Sequence, residues 1–140
     1  MSTMNPELSL KVVIRCRDFT ASRHFYADII KLTVVEEWEE KEGRGCIFGF
    51  GEDGQQALLE VYQMSPRDKR YRSEFEQTFE NDKIDLQLKT SSLEAWIQEL
   101  DGKWAFEGPR KLPWGQHWIK LRDPDHLLVA IYEENIEQSQ

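Results

Sequence analysis

This chain has no apolar stretch longer than a strand, only two cysteines among 140 residues, only three histidines, and no excess of positive charge. Each shortage excludes something. Without about twenty consecutive apolar residues no helix can span a bilayer, so a membrane role by helices is not expected. Cys16 and Cys46 stand thirty residues apart in apolar, strand-like surroundings and form no Cys-x-x-Cys pair, so they read as buried thiols rather than a disulfide or redox couple. His24, His117 and His126 show no metal-ligand spacing. A net charge of -8 argues against nucleic acid as a partner, because a protein that tracks phosphates needs a basic face. Ser-His-Asp groupings, a P-loop and a dinucleotide fingerprint are missing too, and the glycines are scattered in turns. The segment Met1 to Glu7 lacks the basic and apolar regions of a secretory signal, which makes the cytoplasm the expected location.

What is present has the balance of one soluble domain, 39% hydrophobic and 31% charged. From Leu8 to Cys16 the apolar residues fall on even positions, the period of a half-buried strand. A helix follows, with Asp18 or Thr20 as its cap and Ala21, Phe25, Ile29 and Leu32 along one face. Three strands are expected at Thr33 to Glu39, Gly45 to Gly51 and Gln56 to Gln63. The second half repeats the order. Lys83 to Lys89 alternates, and Ser91-Ser92-Leu93-Glu94 has the form of a capping box opening a helix that Gly102 ends. Trp104 to Glu107, Gln116 to Arg122 and Leu127 to Glu133 are then the last three strands. The expected organisation is a single domain over 1–140: module one at 8–63, a charged linker at 64–82 with one helical turn around Phe75 and Phe79, and module two at 83–133. Acidic runs at Glu36 to Glu42, Glu74 to Asp82 and Glu133, Glu134 and Glu137 read as solvated surface.

Two segments carry a family resemblance. Pro113-Trp114-Gly115-Gln116, followed by Arg122-Asp123-Pro124-Asp125 and the apolar run Leu127 to Tyr132, resembles the last hairpin of the vicinal oxygen chelate superfamily of glyoxalases, extradiol dioxygenases and bleomycin-resistance proteins. Val12 to Phe19, then Ala21-Ser22, Phe25-Tyr26-Ala27-Asp28 and Leu32, resembles its opening strand and helix. The resemblance implies an α+β fold of two βαβββ modules, a curved mixed sheet around a cleft with helices outside, and a homodimer. It also implies four metal-ligand positions, which fall on Lys11, Glu60, Lys83 and Ala130, and a glycine where this chain has His126. Only Glu60 among the four offers a metal an acceptor, since a protonated lysine has none. No metal and no other cofactor is therefore expected.

Strand alternation places other residues on the same side as those positions. Candidate ligand-binding residues are Lys11, Arg15, Glu60, Tyr62, Lys83, Asp85, Trp118, Lys120 and Tyr132, with Trp114 as a further stacking surface. Their charge leans cationic although the chain is acidic. That lean makes a small aromatic or anionic molecule the expected partner, whereas the bleomycin-resistance members, the nearest known role, are described by the resemblance as metal-free proteins that sequester a cationic drug. Three alternatives stay open: the lysines serve only as braces, Lys11 to Glu60 and Lys83 to Asp85; Glu60 and Lys11 are the catalytic groups of a metal-free enzyme; or the protein is a lyase or dioxygenase. His117, sharing parity with Ile119 and Leu121, is expected to pack as a hydrogen-bonded histidine.

Overall fold

A computed structural model describes residues 6–54 and 56–134; Glu137 of the terminal acidic run lies outside them. The chain divides into two compact units, Met1–Glu76 and Gln77–Gln140. Each is built on a four-stranded mixed sheet, and together they give the α+β class with the βαβββ order twice.

In the first unit β1 (Leu10–Arg15) pairs parallel with β4 (Ala57–Met64), which pairs antiparallel with β3 (Gly43–Phe50), and β3 with β2 (Thr33–Glu40), so β1 and β2 are the edges. Between β1 and β2 runs α1 (Phe19–His24), which continues as a π-helical turn over Phe25–Ile29. Asp18 is the cap, its Oδ1 accepting the Ala21 N–H at 3.2 Å. The wider turn changes the expected stripe: Phe25 with Tyr26, and Ile29 with Ile30, are all buried, whereas Leu32 lies past the helix. Behind the sheet Ile14, Phe48, Leu59 and Val61 complete this core. Both cysteines are buried, and burial pushes the Cys46 thiol up to about 11.

The second unit repeats the plan with β5 (Asp85–Lys89), α2 (Leu93–Leu100), β6 (Glu107–Lys111), β7 (Gln116–Arg122) and β8 (Leu128–Glu134), in the sheet order β5-β8-β7-β6. Leu93 and Leu100 of α2 are buried and the helix packs on β7 and β8, where Ile119, Leu121, Val129 and Ile131 point toward it. Gly102, at φ +75°, closes the helix in the left-handed conformation, with the N–H groups of Lys103 and Trp104 returning to the Leu100 carbonyl.

Three expectations change. The α2 cap is Ser92, not Ser91: Ser92 Oγ accepts from Ala95 N at 3.2 Å, so the third helical residue is Ala95 and no reciprocal glutamate exists. The N-cap N–H that such a glutamate would take, that of Ser92, donates to Thr90 Oγ1 at 3.2 Å, and Glu133 Oε1 receives the Leu93 N–H at 2.7 Å. Glu133 is thus half-buried and engaged rather than solvated. The strand expected at Trp104 to Glu107 begins where it was expected to end, at Glu107, because Trp104 turns inward to donate its Nε1–H to the Arg122 carbonyl at 2.9 Å. Finally, β5 starts at Asp85, leaving Lys83 exposed ahead of it with its backbone N–H on Asn81 Oδ1.

The expected linker is partly folded onto unit one. A 3-10 turn at Ser73–Glu76 carries Phe75 to within 5.7 Å of the Arg15 guanidinium, and Tyr71 meets the Phe75 ring edge-on at 6.0 Å. The Arg122-Asp123-Pro124-Asp125 segment owes its shape to four bonds. Arg122 grips Asp82 through Nη1 and Nη2 at 2.6 and 3.1 Å, and Asp123 Oδ1 accepts from the N–H groups of Asp125 and Leu127. His126 then takes φ +72°, a conformation glycine adopts without steric cost.

Candidate functional site

Helices cover one face of each sheet, and the candidate residues that belong to strands lie on the other; Lys83 and Trp114 lie outside the strands. Backbone pairing makes the two modules comparable position by position. Cys16 N–H donates to the Tyr62 carbonyl at 2.9 Å, and Thr90 N–H donates to the Tyr132 carbonyl at 2.8 Å. Gln63 Oε1 accepts the first N–H of α1, from Phe19, as Glu133 accepts that of α2. With Tyr62 matched to Tyr132, the register matches Glu60 to Ala130, and Lys11, which faces Leu58, to Asp85, which faces Leu128. The first-strand position of module two therefore belongs to Asp85, and Lys83 is not its equivalent. A lysine two residues ahead of the strand has the right parity, but the ladder does not reach it.

In module one Lys11 Nζ and Glu60 Oε1 form an ion pair at 2.8 Å; 43% of the lysine side chain is exposed and 15% of the glutamate. Their Cα atoms are diagonal neighbours across the parallel pair, a reach that a lysine stem spans easily. One row along, Tyr62 stacks on Trp38 with ring centroids 6.1 Å apart and planes 29° apart, and its hydroxyl donates to the Glu42 carbonyl at 3.2 Å. Burial raises the Tyr62 phenol above its ordinary value. Gly45 between them makes this possible, since a Cβ there would sit 2.7 Å from Trp38 Cζ2 and 3.0 Å from Tyr62 Cδ1. Arg15, expected to face ligand, lies over Phe75. Phe75 is expected only as part of a linker turn, and Tyr71 and Gly45 are not among the candidate residues; for Gly45 the alternate glycines 43, 45 and 49 of β3 are the available signal, because they strip side chains from one face.

Module two is arranged differently. Trp118, 9% exposed, lies beneath Lys120, whose Nζ is 4.3 Å from the indole centroid. Ala130 is buried and Tyr132 half-buried beside them. Asp85 Oδ2 accepts from Gln87 Nε2 at 3.1 Å, so the expected Lys83 to Asp85 brace does not form, and Lys89 reaches Glu134 at 3.3 Å. Trp114 occupies the β6–β7 turn with 73% of its surface exposed and makes no ring contact among the described residues. His117 does not meet its expectation either, for its Nε2 is buried without a hydrogen-bond partner.

The donor set at the four register positions is Lys11, Glu60, Asp85 and Ala130. Two carboxylates, one of them already neutralised by a lysine, do not supply the three or more donors a working metal site needs. Nor do three His, Cys, Asp or Glu side chains gather anywhere among the described residues in a way that could hold an ion. No described helix is long and apolar enough to cross a membrane.

A glyoxalase-like domain model matches residues 10–136. No curated protein matches the chain. Among solved structures, an antibiotic binding protein from Streptomyces sp. CB03234 is 17% identical, with 95% of this chain and 100% of that one covered at a TM-score of 0.68. A lactoylglutathione lyase from Agrobacterium tumefaciens is 16% identical, covers 91% and 94%, and has a TM-score of 0.65. At these identities the likeness is one of fold.

Proposed function

The chain belongs to the glyoxalase-like domain family, and on that premise we propose that it is a metal-independent binding protein for a small aromatic or anionic molecule. The observation that carries this reading is the Lys11–Glu60 ion pair, which puts a cation where the family places a metal donor and occupies the carboxylate that remains. Aromatic rings support it: the half-buried Trp38–Tyr62 stack in module one is a surface on which a planar molecule rests. The fold shared with an antibiotic binding protein is compatible with sequestration as the role.

The test has two parts. Elemental analysis of protein purified without a histidine tag should find Ni, Zn, Fe, Co and Mn far below stoichiometry, and aromatic compounds should raise the melting temperature by mass action. A stoichiometric metal that survives dialysis and disappears in Glu60→Ala overturns the proposal.

A lyase or dioxygenase is the second reading, favoured by one observation. Register gives Asp85, a carboxylate, to the position equivalent to Lys11, so two of the four positions carry oxygen donors instead of one. That reading requires metal loss in Asp85→Ala as well as in Glu60→Ala.

A further inference from the structure

On the open faces, Lys11 of module one has a carboxylate partner and Lys120 of module two has none among the described residues. Register matches Lys120 to Ile47 and Ala130 to Glu60, so the acid that would face Lys120 is replaced by a methyl group. Among the described residues no carboxylate lies within 4.0 Å of Lys120 Nζ, which rests on the Trp118 ring instead. Its nearby acids are both accounted for. Asp82 is held by two bonds from Arg122, and Glu107, opposite Lys120 in the β6–β7 ladder, makes no ion pair with it. An indole face compensates an ammonium less than a carboxylate does.

Beside Lys120 is an open pocket of about 280 Å³ walled by Trp104, Phe106, Leu121 and Leu128, with Glu107 and Arg122 at its polar side. That volume is near the lower end of the range for small-molecule sites, room for one ring and a short polar group. Its back wall is fixed, because Trp104 Nε1 is bonded to the Arg122 carbonyl and the Arg122 guanidinium to Asp82. Lys120 is the one cation of the wall not already held by an acid among the described residues.

We infer that this pocket is a carboxylate subsite for a small aromatic acid: Lys120 turns from the Trp118 face to pair with the carboxylate, and the aromatic ring lies against Phe106 and Leu128. The inference rests on the small-molecule-binding reading and assigns its charge and its place. Glu107 opposes the bound anion at short range, so the two side chains should act with opposite sign.

Phenylacetate, with phenylacetamide and phenethylammonium as neutral and cationic counterparts, provides the probe set for calorimetric and NMR titration of the full chain. Phenylacetate should bind tightest, Lys120→Gln should weaken it about tenfold as a charge-assisted bond is lost, and Glu107→Gln should tighten it. Lys41→Gln, an exposed charge change in module one, should leave it alone. The Trp118 indole N–H resonance, assigned through Trp118→Phe, should move on binding in the wild type and stay in place in Lys120→Gln. Equal affinity for phenylacetate and phenylacetamide, no binding of phenylacetate at millimolar concentration, or an unchanged affinity in Lys120→Gln overturns the subsite. Loss of binding in Lys11→Gln with retention in Lys120→Gln moves the anion to module one, overturning the subsite while the binding-protein reading stands. Stoichiometric metal in the separate elemental analysis has the converse effect.

Discussion

Across the open face of module one the paired residues run Arg15, Tyr62, Gly45 and Trp38; across that of module two they run Lys89, Tyr132, Trp118 and Arg110. A cation on the first strand and a tyrosine on the last are common to both. The tryptophan has changed strand. In module one it stands on the edge strand β2 and reaches inward over a glycine, so it stays half-buried; in module two it stands on the interior strand β7 and is nearly enclosed. Backbone devices, by contrast, are shared: the side chain after each tyrosine caps a helix, and each helix has a polar cap one residue earlier. The two modules thus share what the backbone needs in order to close and differ on their open faces.

Truncating the two tryptophans should break the symmetry most visibly. Trp118→Ala removes a nearly enclosed ring and the platform of Lys120, and should cost about 3–5 kcal/mol in denaturant unfolding, whereas Trp38→Ala at the half-buried edge should cost about 1–2 kcal/mol. Equal losses would mean that strand position does not decide the burial energy.

Gly45→Ala sharpens the same point with a smaller effect. Its new methyl must push apart Trp38 and Tyr62 and would also meet the Val61 carbonyl at 2.9 Å, so we expect a loss of about 1–3 kcal/mol together with a changed near-ultraviolet circular dichroism signal from the stacked rings. An unaltered aromatic signal would show that the stack does not need the glycine.

Acid should expose the least difference at neutral pH. Side-chain and backbone hydrogen bonds from Arg70 hold the Asp68 carboxyl at about 2, and the Arg122 guanidinium lowers Asp82 in the second unit. Both are depressed, so the stability they contribute is fully present above the unfolded value of 3.8 and is lost as pH falls through the folded one. For Asp68 the window runs from 3.8 down to about 2. Asp68→Asn should flatten the acid-unfolding curve in that window; an unchanged curve would remove this pair from the acid response.

Much of the plan was legible in residue order. Alternation in Leu8 to Cys16, the Asp18 cap, the Gly102 stop and the Arg-Asp-Pro turn are local signals, and the strands and helices follow them to within a few residues. The misreadings share a cause. Glu94 stands at capping-box spacing from Ser91, but the helix starts one residue later, where Thr90 Oγ1 accepts the Ser92 N–H and Glu133, forty residues away, accepts that of Leu93. Trp104 looked like strand until the Arg122 carbonyl drew its indole inward.

At the candidate site the division is sharper still. Sequence by itself determined which residues of a regular strand share a face, since the period of a strand is two. It also determined that metal donors are scarce, because residue identity alone decides whether a side chain can accept from or donate to an ion. Only the tertiary structure decided that Asp85 rather than Lys83 is the partner of Lys11 in the repeat, that Lys11 is spent on Glu60 and Arg15 on Phe75, and that Lys120 is left on a ring. Those outcomes depend on where a ladder begins and which side chains lie within a few ångströms across chain separations of tens of residues, and no local periodicity encodes either distance.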